Sequence, residues 1–171
     1  MPEAWDIEFY ADDDGTEPVR DWLDSKQMEG PKQRAAIAAI EQILGTYGTD
    51  ICSTEWGKHL KDGLYELRIR HTAEEIERMF GEQAVEDAPD DPSPASDEER
   101  EAARDQSKGE ILLRVYFTTD GRKIILLLAG YDKGRFGSGK REKRAIAQAR
   151  KRVKEHNERA RQSKAKRRKS R

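Results

Sequence analysis

Four residues pose the chemical question: Arg68 in LYELRIR, Arg114 and Tyr116 in ILLRVYF, and Lys133 just after the apolar run KIILLLAGYD. An arginine presents a planar fork of donors that can hold two phosphate oxygens, and a lysine adds a point charge. A tyrosine can stack on a base or pass a proton. Such a set suits cleavage of an RNA linkage without metal. There the ribose 2′-hydroxyl attacks the neighbouring phosphorus, and the protein orients it and stabilises the extra negative charge. Arg70, Tyr131, Arg135, Lys140 and Arg141 flank these four and are candidate RNA-binding residues. A plainer role is open to the two arginines: charged outward faces are ordinary in antiparallel sheets, and Glu66 stands close enough in sequence to pair with them.

The elements that must position these residues can be read from periodicity. WDIEFY (5–10) alternates as a half-buried strand does, and ADDDGTE stops it. Pro18 and Pro31 each open a helix, the first carrying Val19, Trp22 and Leu23, the second Ile37, Ile40, Ile43 and Leu44 until Gly45. Residues 46–63 read as irregular. In LYELRIR, Tyr65, Leu67 and Ile69 share one face and Glu66, Arg68 and Arg70 the other. ILLRVYF and KIILLLA form a hairpin around TTDG, the second strand apolar on both faces as an inner strand should be. If the helices cover the face of Leu67, Ile69, Leu113, Val115 and Phe117, then Arg68, Arg114 and Tyr116 emerge together on the opposite face. Lys133 joins them from a glycine-loosened loop. Ile146, Ala149 and Val153 mark one side of a final helix.

The expected fold is α+β: a small antiparallel-rich sheet packed by two N-terminal helices, plus a basic C-terminal helix. One domain spans residues 1–157. An acidic, flexible insertion at 72–109 interrupts it, and a disordered basic tail, 158–171, follows. The insertion is rich in Pro, Asp, Glu and Ser, a composition that buries too little apolar area to offset ordering entropy. Within it, Thr72 with Glu75 and Ser96 with Glu99 have capping-box spacing, and Ile76, Met79 and Phe80 can dock.

The net charge of −1 hides strong polarity along the chain. Residues 1–71 hold 8 Lys/Arg against 15 Asp/Glu, residues 72–110 hold 4 against 14, and residues 111–171 hold 21 against 5. A basic carboxyl third suits a polyanion, and the acidic middle can screen it. The lone Cys52 and the scattered His59, His71 and His156 give no disulfide and no ligand-like spacing, so neither a metal nor another cofactor is expected. Asp12, Asp13 and Asp14 read as an acidic turn rather than a cation site. GRFGSGKRE lacks the spacing of a nucleotide-binding phosphate loop. The N-terminal stretch has neither a basic start nor an apolar run, and Ile124–Gly130 is too short to cross a bilayer. A cytoplasmic protein with no membrane partner is expected.

Three stretches, KHLKDGLYELRI, LLRVYFTTDGRKIILLLAGYDK and KREKRAIAQARKRVKEH, together resemble the phage-derived HigB-like toxins of the RelE/ParE toxin superfamily. The likeness covers roughly residues 5–70 and 110–155. It implies a RelE-like fold and a type II toxin that cleaves messenger RNA, commonly on the ribosome, until a cognate antitoxin, a small helix-turn-helix protein, neutralises it. By position, the resemblance assigns site roles to Arg68, Arg114 and Lys133. Family members often carry a Phe and paired lysines where Tyr131 and the single Lys133, followed by Gly134, stand here. The acidic segment and the long tail lie outside the pattern. A gyrase poison within the same superfamily and a non-catalytic nucleic-acid-binding module are the alternatives.

Overall fold

The computed structural model describes residues 4–80 and 111–169. A five-stranded sheet of order β1-β5-β4-β3-β2 forms the centre, built from β1 (Asp6–Phe9), β2 (Gly57–His59), β3 (Tyr65–Ile69), β4 (Leu113–Thr119) and β5 (Ile124–Asp132). The β1–β5 pair is parallel and the other three pairs are antiparallel. The fold is therefore α+β with an antiparallel-rich sheet, as the alternating patterns indicate.

One face carries the N-terminal helices. Pro18 and Pro31 start α1 (Pro18–Leu23) and α2 (Pro31–Ala38), each filling a position whose N–H would lack a helical partner. Beyond α2 the chain continues through a π-helical stretch, Ala39–Leu44, and a last turn, α3 (Gly45–Tyr47). The α-helical path thus overruns Gly45 and gives way at Gly48, whose φ of +53° suits glycine, to a 3-10 helix, Gly48–Ser53. Gly48 is also where the Trp5 ring lies, so close that a Cβ would sit 2.1 Å from it. Val19, Leu23, Ala35, Ala36, Ile40, Ile43 and Leu44 pack there against Leu67, Ile69, Leu113, Val115, Phe117, Ile125 and Leu127. Each large aliphatic side chain so buried contributes about 1.5–3 kcal/mol. The three tryptophans, Trp5, Trp22 and Trp56, all belong to this side.

Three features depart from the sequence reading. The irregular stretch 46–63 contains β2, which pairs with β3 from Gly57↔Leu67 to His59↔Tyr65 and forms the sheet edge. Residues 73–80, inside the stretch read as a flexible insertion, form α4 (Ala73–Phe80), the short helix that the Thr72/Glu75 spacing allows, and it packs on α2 with Met79 left exposed. Thr72 caps α4 by accepting the Glu75 N–H, Ile76 is fully buried, and Phe80 meets Trp56 edge-on at 5.5 Å. The Ser96/Glu99 signal and the rest of the insertion lie outside the described residues. Third, residues 158–169 continue the C-terminal helix, Lys140–Lys169, instead of forming a disordered tail.

That helix covers part of the second sheet face. Ile146, Ala149 and Val153, the predicted stripe, pack with Tyr10, Leu64, Tyr116, Leu126, Leu128, Ala129 and Tyr131. A bulge helps: Tyr116 pairs with Ala129 and Phe117 with Leu127, so Leu128 is the extra residue. Leu128 and Ala129, neighbours in sequence, both contribute to the core under this helix.

Candidate functional site: an arginine pair beside a cationic rim

Strand alternation places the candidate residues in two rows on the face that receives the C-terminal helix. Arg68 on β3 is the register partner of Arg114 on β4, which in turn is opposite Tyr131 on β5. Two residues along, Glu66, Tyr116 and Ala129 form the second row. The two guanidinium groups, distant in sequence, are thus brought side by side.

Glu66 stands between them. Its Oε2 accepts from Arg68 Nε at 3.1 Å, and its Oε1 lies 3.4 Å from Arg114 Nε. The arginines differ sharply in access: Arg114 is 2% exposed, whereas the Arg68 side chain is 28% exposed. Arg114 Nη1 donates to the Leu113 carbonyl, and burial lowers the guanidinium pKa from its usual range while Glu66 opposes that shift. Arg114 is therefore an interior charge, and the expectation that it emerges toward substrate is corrected. Its position lets it hold Glu66, and Glu66 orients Arg68.

Tyr116 is also corrected. It shares the expected face but is fully buried in the core under the C-terminal helix, and its hydroxyl has no hydrogen-bond partner. Burial raises the phenol pKa first, with the carboxylates of Glu66 and Glu142 adding to the rise. A neutral, enclosed phenol fills space and cannot relay a proton to a ligand at the surface. Tyr131, a candidate RNA-binding residue by sequence, is likewise withdrawn from the surface: it is buried, and its hydroxyl donates to the Gly137 carbonyl at 2.5 Å. Burial pushes its pKa up as well.

The loop after β5 is more ordered than its glycines suggest. Lys133–Phe136 is a short helix capped by Asp132, whose carboxylate accepts the Arg135 N–H and also binds Lys32 of α2 at 2.5 Å. Lys133 Nζ lies 3.6 Å from Glu142 Oε1 and its side chain remains 25% exposed. Arg135 and Arg141 both lie over the ring of Phe136, at 5.3 and 4.7 Å from its centroid, so two cations separated by a turn converge on one aromatic. Arg70, Arg135, Lys140 and Arg141 are exposed.

The pairing of Glu66 with the two arginines, open from its place in the sequence, is what the structure shows. Sequence reading missed Glu142 as the partner of Lys133 and Phe136 as the ring that gathers two arginines, and neither carried a signal beyond proximity. The aspartates at 12–14 form a turn, in which Asp14 Oδ1 accepts the Thr16 N–H, and Asp13 pairs with Arg159 at 2.8 Å. Among the described residues no group of three or more His, Cys, Asp or Glu side chains is placed to hold a metal ion. Cys52 is half-buried, and burial raises its thiol pKa, which leaves it less nucleophilic.

No protein-family model matches this chain, and no curated protein matches it either. The functional reading therefore rests on the site. Chemically, the arrangement offers a partly exposed guanidinium held by a buried carboxylate and a partly exposed ammonium, with an exposed cationic rim around the short helix. Those are phosphate-binding groups. Among the described residues no helix is long and apolar enough to cross a membrane.

Proposed function

We propose that the chain is a cytoplasmic toxin of the RelE/ParE kind, a metal-independent endoribonuclease that acts on messenger RNA and is held in check by a small helix-turn-helix antitoxin. The observation that carries this reading is the cross-strand pairing of Arg68 with Arg114 on one sheet face. In the reaction the 2′-oxygen forms a bond to phosphorus, the bond to the 5′-oxygen breaks, the 2′-hydroxyl proton passes to water and the 5′-oxygen takes one up from water. Arg68 and Lys133 would contact the scissile phosphate and stabilise its added charge, a term worth several kcal/mol in a water-poor site. Arg70, Arg135, Lys140 and Arg141 would hold flanking phosphates. Arg114 is a positioning residue acting through Glu66, and Tyr116 and Tyr131 are scaffold.

One observation favours a second reading, a non-catalytic RNA-binding module: Glu66 already offsets one of the two arginine charges, and both phenols beside the pair, Tyr116 and Tyr131, are buried. The experiment is to incubate the purified chain with messenger RNA in EDTA and analyse the ends. The endoribonuclease yields 2′,3′-cyclic phosphate and 5′-hydroxyl ends, and both Arg68→Ala and Lys133→Ala reduce the rate at least 100-fold. Salt-sensitive binding with intact RNA supports the binding module. Trapped DNA breaks with gyrase and plasmid, with RNA untouched, would overturn both.

A further inference from the structure

The C-terminal helix is two things in succession. Its first two-thirds is bound to the body by its own basic residues. Arg150 donates to the Leu60 carbonyl at 2.7 Å, Arg152 to the Leu128 carbonyl at 2.6 Å, and Arg159 to the Ala11 carbonyl at 2.7 Å. Arg159 also pairs with Asp13, and His156 lies 3.0 Å from Asp120. These cations serve the fold.

After Arg159 the helix runs on for ten residues, all of them exposed. At 1.5 Å per residue this is a rod of roughly 15 Å. Residues 160–169 hold six Lys/Arg and no Asp/Glu. At 100° per residue Arg161, Lys164 and Arg168 occupy one sector, while Lys166 and Lys169 point to the other side, so the rod is cationic around most of its circumference. Lys164 and Arg168 are a like-charged pair at i,i+4, which weakens an isolated helix. A polyanion would relieve that repulsion.

The chemistry of the rod narrows the partner. Helix-dipole compensation accounts for cations in the last turn only, and Arg161 and Lys164 precede it. Its only apolar residues are Ala160 and Ala165, which leaves no face to enter a bilayer. No Phe, Tyr or Trp occurs anywhere in Lys140–Lys169, so base stacking, the usual grip on single strands, is absent. What remains is charge that can face phosphates on both sides at once, as the two backbones of a duplex provide.

We propose that Arg161–Lys169 is a backbone anchor for duplex segments of RNA, indifferent to base sequence and separate from the Arg68 site. The choice of RNA rests on the function proposed above; the anchor itself does not. It raises the local concentration of a structured transcript beside the sheet-face site without taking part in the chemistry there.

The test measures binding of a 20-base-pair RNA duplex by anisotropy from 50 to 200 mM salt. It compares the full chain, a chain ending at Arg159, and the full-length variant Arg161→Gln/Lys164→Gln/Lys166→Gln/Arg168→Gln/Lys169→Gln. Each phosphate contact contributes about 0.9 to the slope of log affinity against log salt. The substituted variant, with five fewer cations, is expected to lose up to about 4.5 from the slope and the shortened chain, with seven fewer, up to about 6. Both lose at least tenfold in affinity at 50 mM, with a smaller loss on a single strand of equal length. Circular dichroism confirms that the substituted helix persists. Unchanged slopes overturn the anchor. So does a loss confined to duplex DNA, or one seen instead with vesicles rich in anionic lipid. If wild-type protein cleaves nothing but the slope changes as stated, the nuclease reading fails and the anchor stands. If Arg68→Ala abolishes cleavage while truncation leaves the slope intact, the reverse holds.

Discussion

The two faces of the sheet are built by different means. Toward α1, α2 and α4 the sheet meets alanines and branched aliphatic side chains in a closed apolar layer. Toward the C-terminal helix it presents tyrosines, Glu66 and Arg114, and guanidinium-to-carbonyl bonds from Arg150, Arg152 and Arg159 fasten that helix. The first face derives its stability from area removed from water. The second obtains much of its order from polar clasps, each worth only about 1.5–3 kcal/mol when a charge is involved. The difference teaches that counting basic residues overstates what a ligand can use. Three of the eight arginines of the C-terminal helix, Arg150, Arg152 and Arg159, are spent on the protein's own backbone carbonyls.

The contrast can be broken first on the apolar side. Phe117→Ala removes a fully buried ring from the helical core and should destabilise the fold by about 3–5 kcal/mol in urea titration. On the polar side the largest effect is expected from Glu66→Ala. It leaves Arg114 buried beside Arg68 with no counter-charge and should cost about 3 kcal/mol. A cost near zero there would mean that Arg114 reaches water and that the two faces are less distinct than described. Gly130 faces Trp22 of α1, whose ring lies where a Cβ would be, only 2.1 Å away. Gly130→Ala must displace α1 and should cost about 1–3 kcal/mol by denaturant midpoint. The smallest effect is in pH. Burial, aided by the hydrogen bond to Glu155, pushes the Tyr10 phenol up to about 12. The unfolded chain releases that proton near pH 10 and the folded chain retains it. The stabilisation is thus complete below pH 10 and is lost as pH rises through 12. Tyr10→Phe should make the decline of the denaturant midpoint between pH 10 and 12 shallower.

Much of this division was legible in the amino-acid order, and the reasons for the rest are physical. Period-two alternation places Leu67, Val115 and Phe117 on one face and Arg68 with Arg114 on the other, because a strand leaves no third option. Alternation does not say what lands on the second face. A helix with Ile146, Ala149 and Val153 in a stripe can dock over any apolar patch within reach, and only the tertiary structure puts it over Tyr116. β2 is three residues long, too short to show a period. In α4, AEEIERMF, the charge resembles the acidic segment that follows, although the Thr72 cap was visible. Composition alone points to disorder in the basic tail, yet lysine and arginine are good helix formers, and the docked turns before Arg159 supply the nucleus from which the helix propagates.

The segregation of aromatic rings has a practical consequence. All three indoles sit with the α1–α2 layer, while three of the five phenols, at 10, 116 and 131, belong to the opposite one. Detachment of the C-terminal helix alone would therefore register in ultraviolet tyrosine absorbance while tryptophan emission stayed constant, and only global unfolding would move both signals. Nature has in effect labelled each layer with its own chromophore.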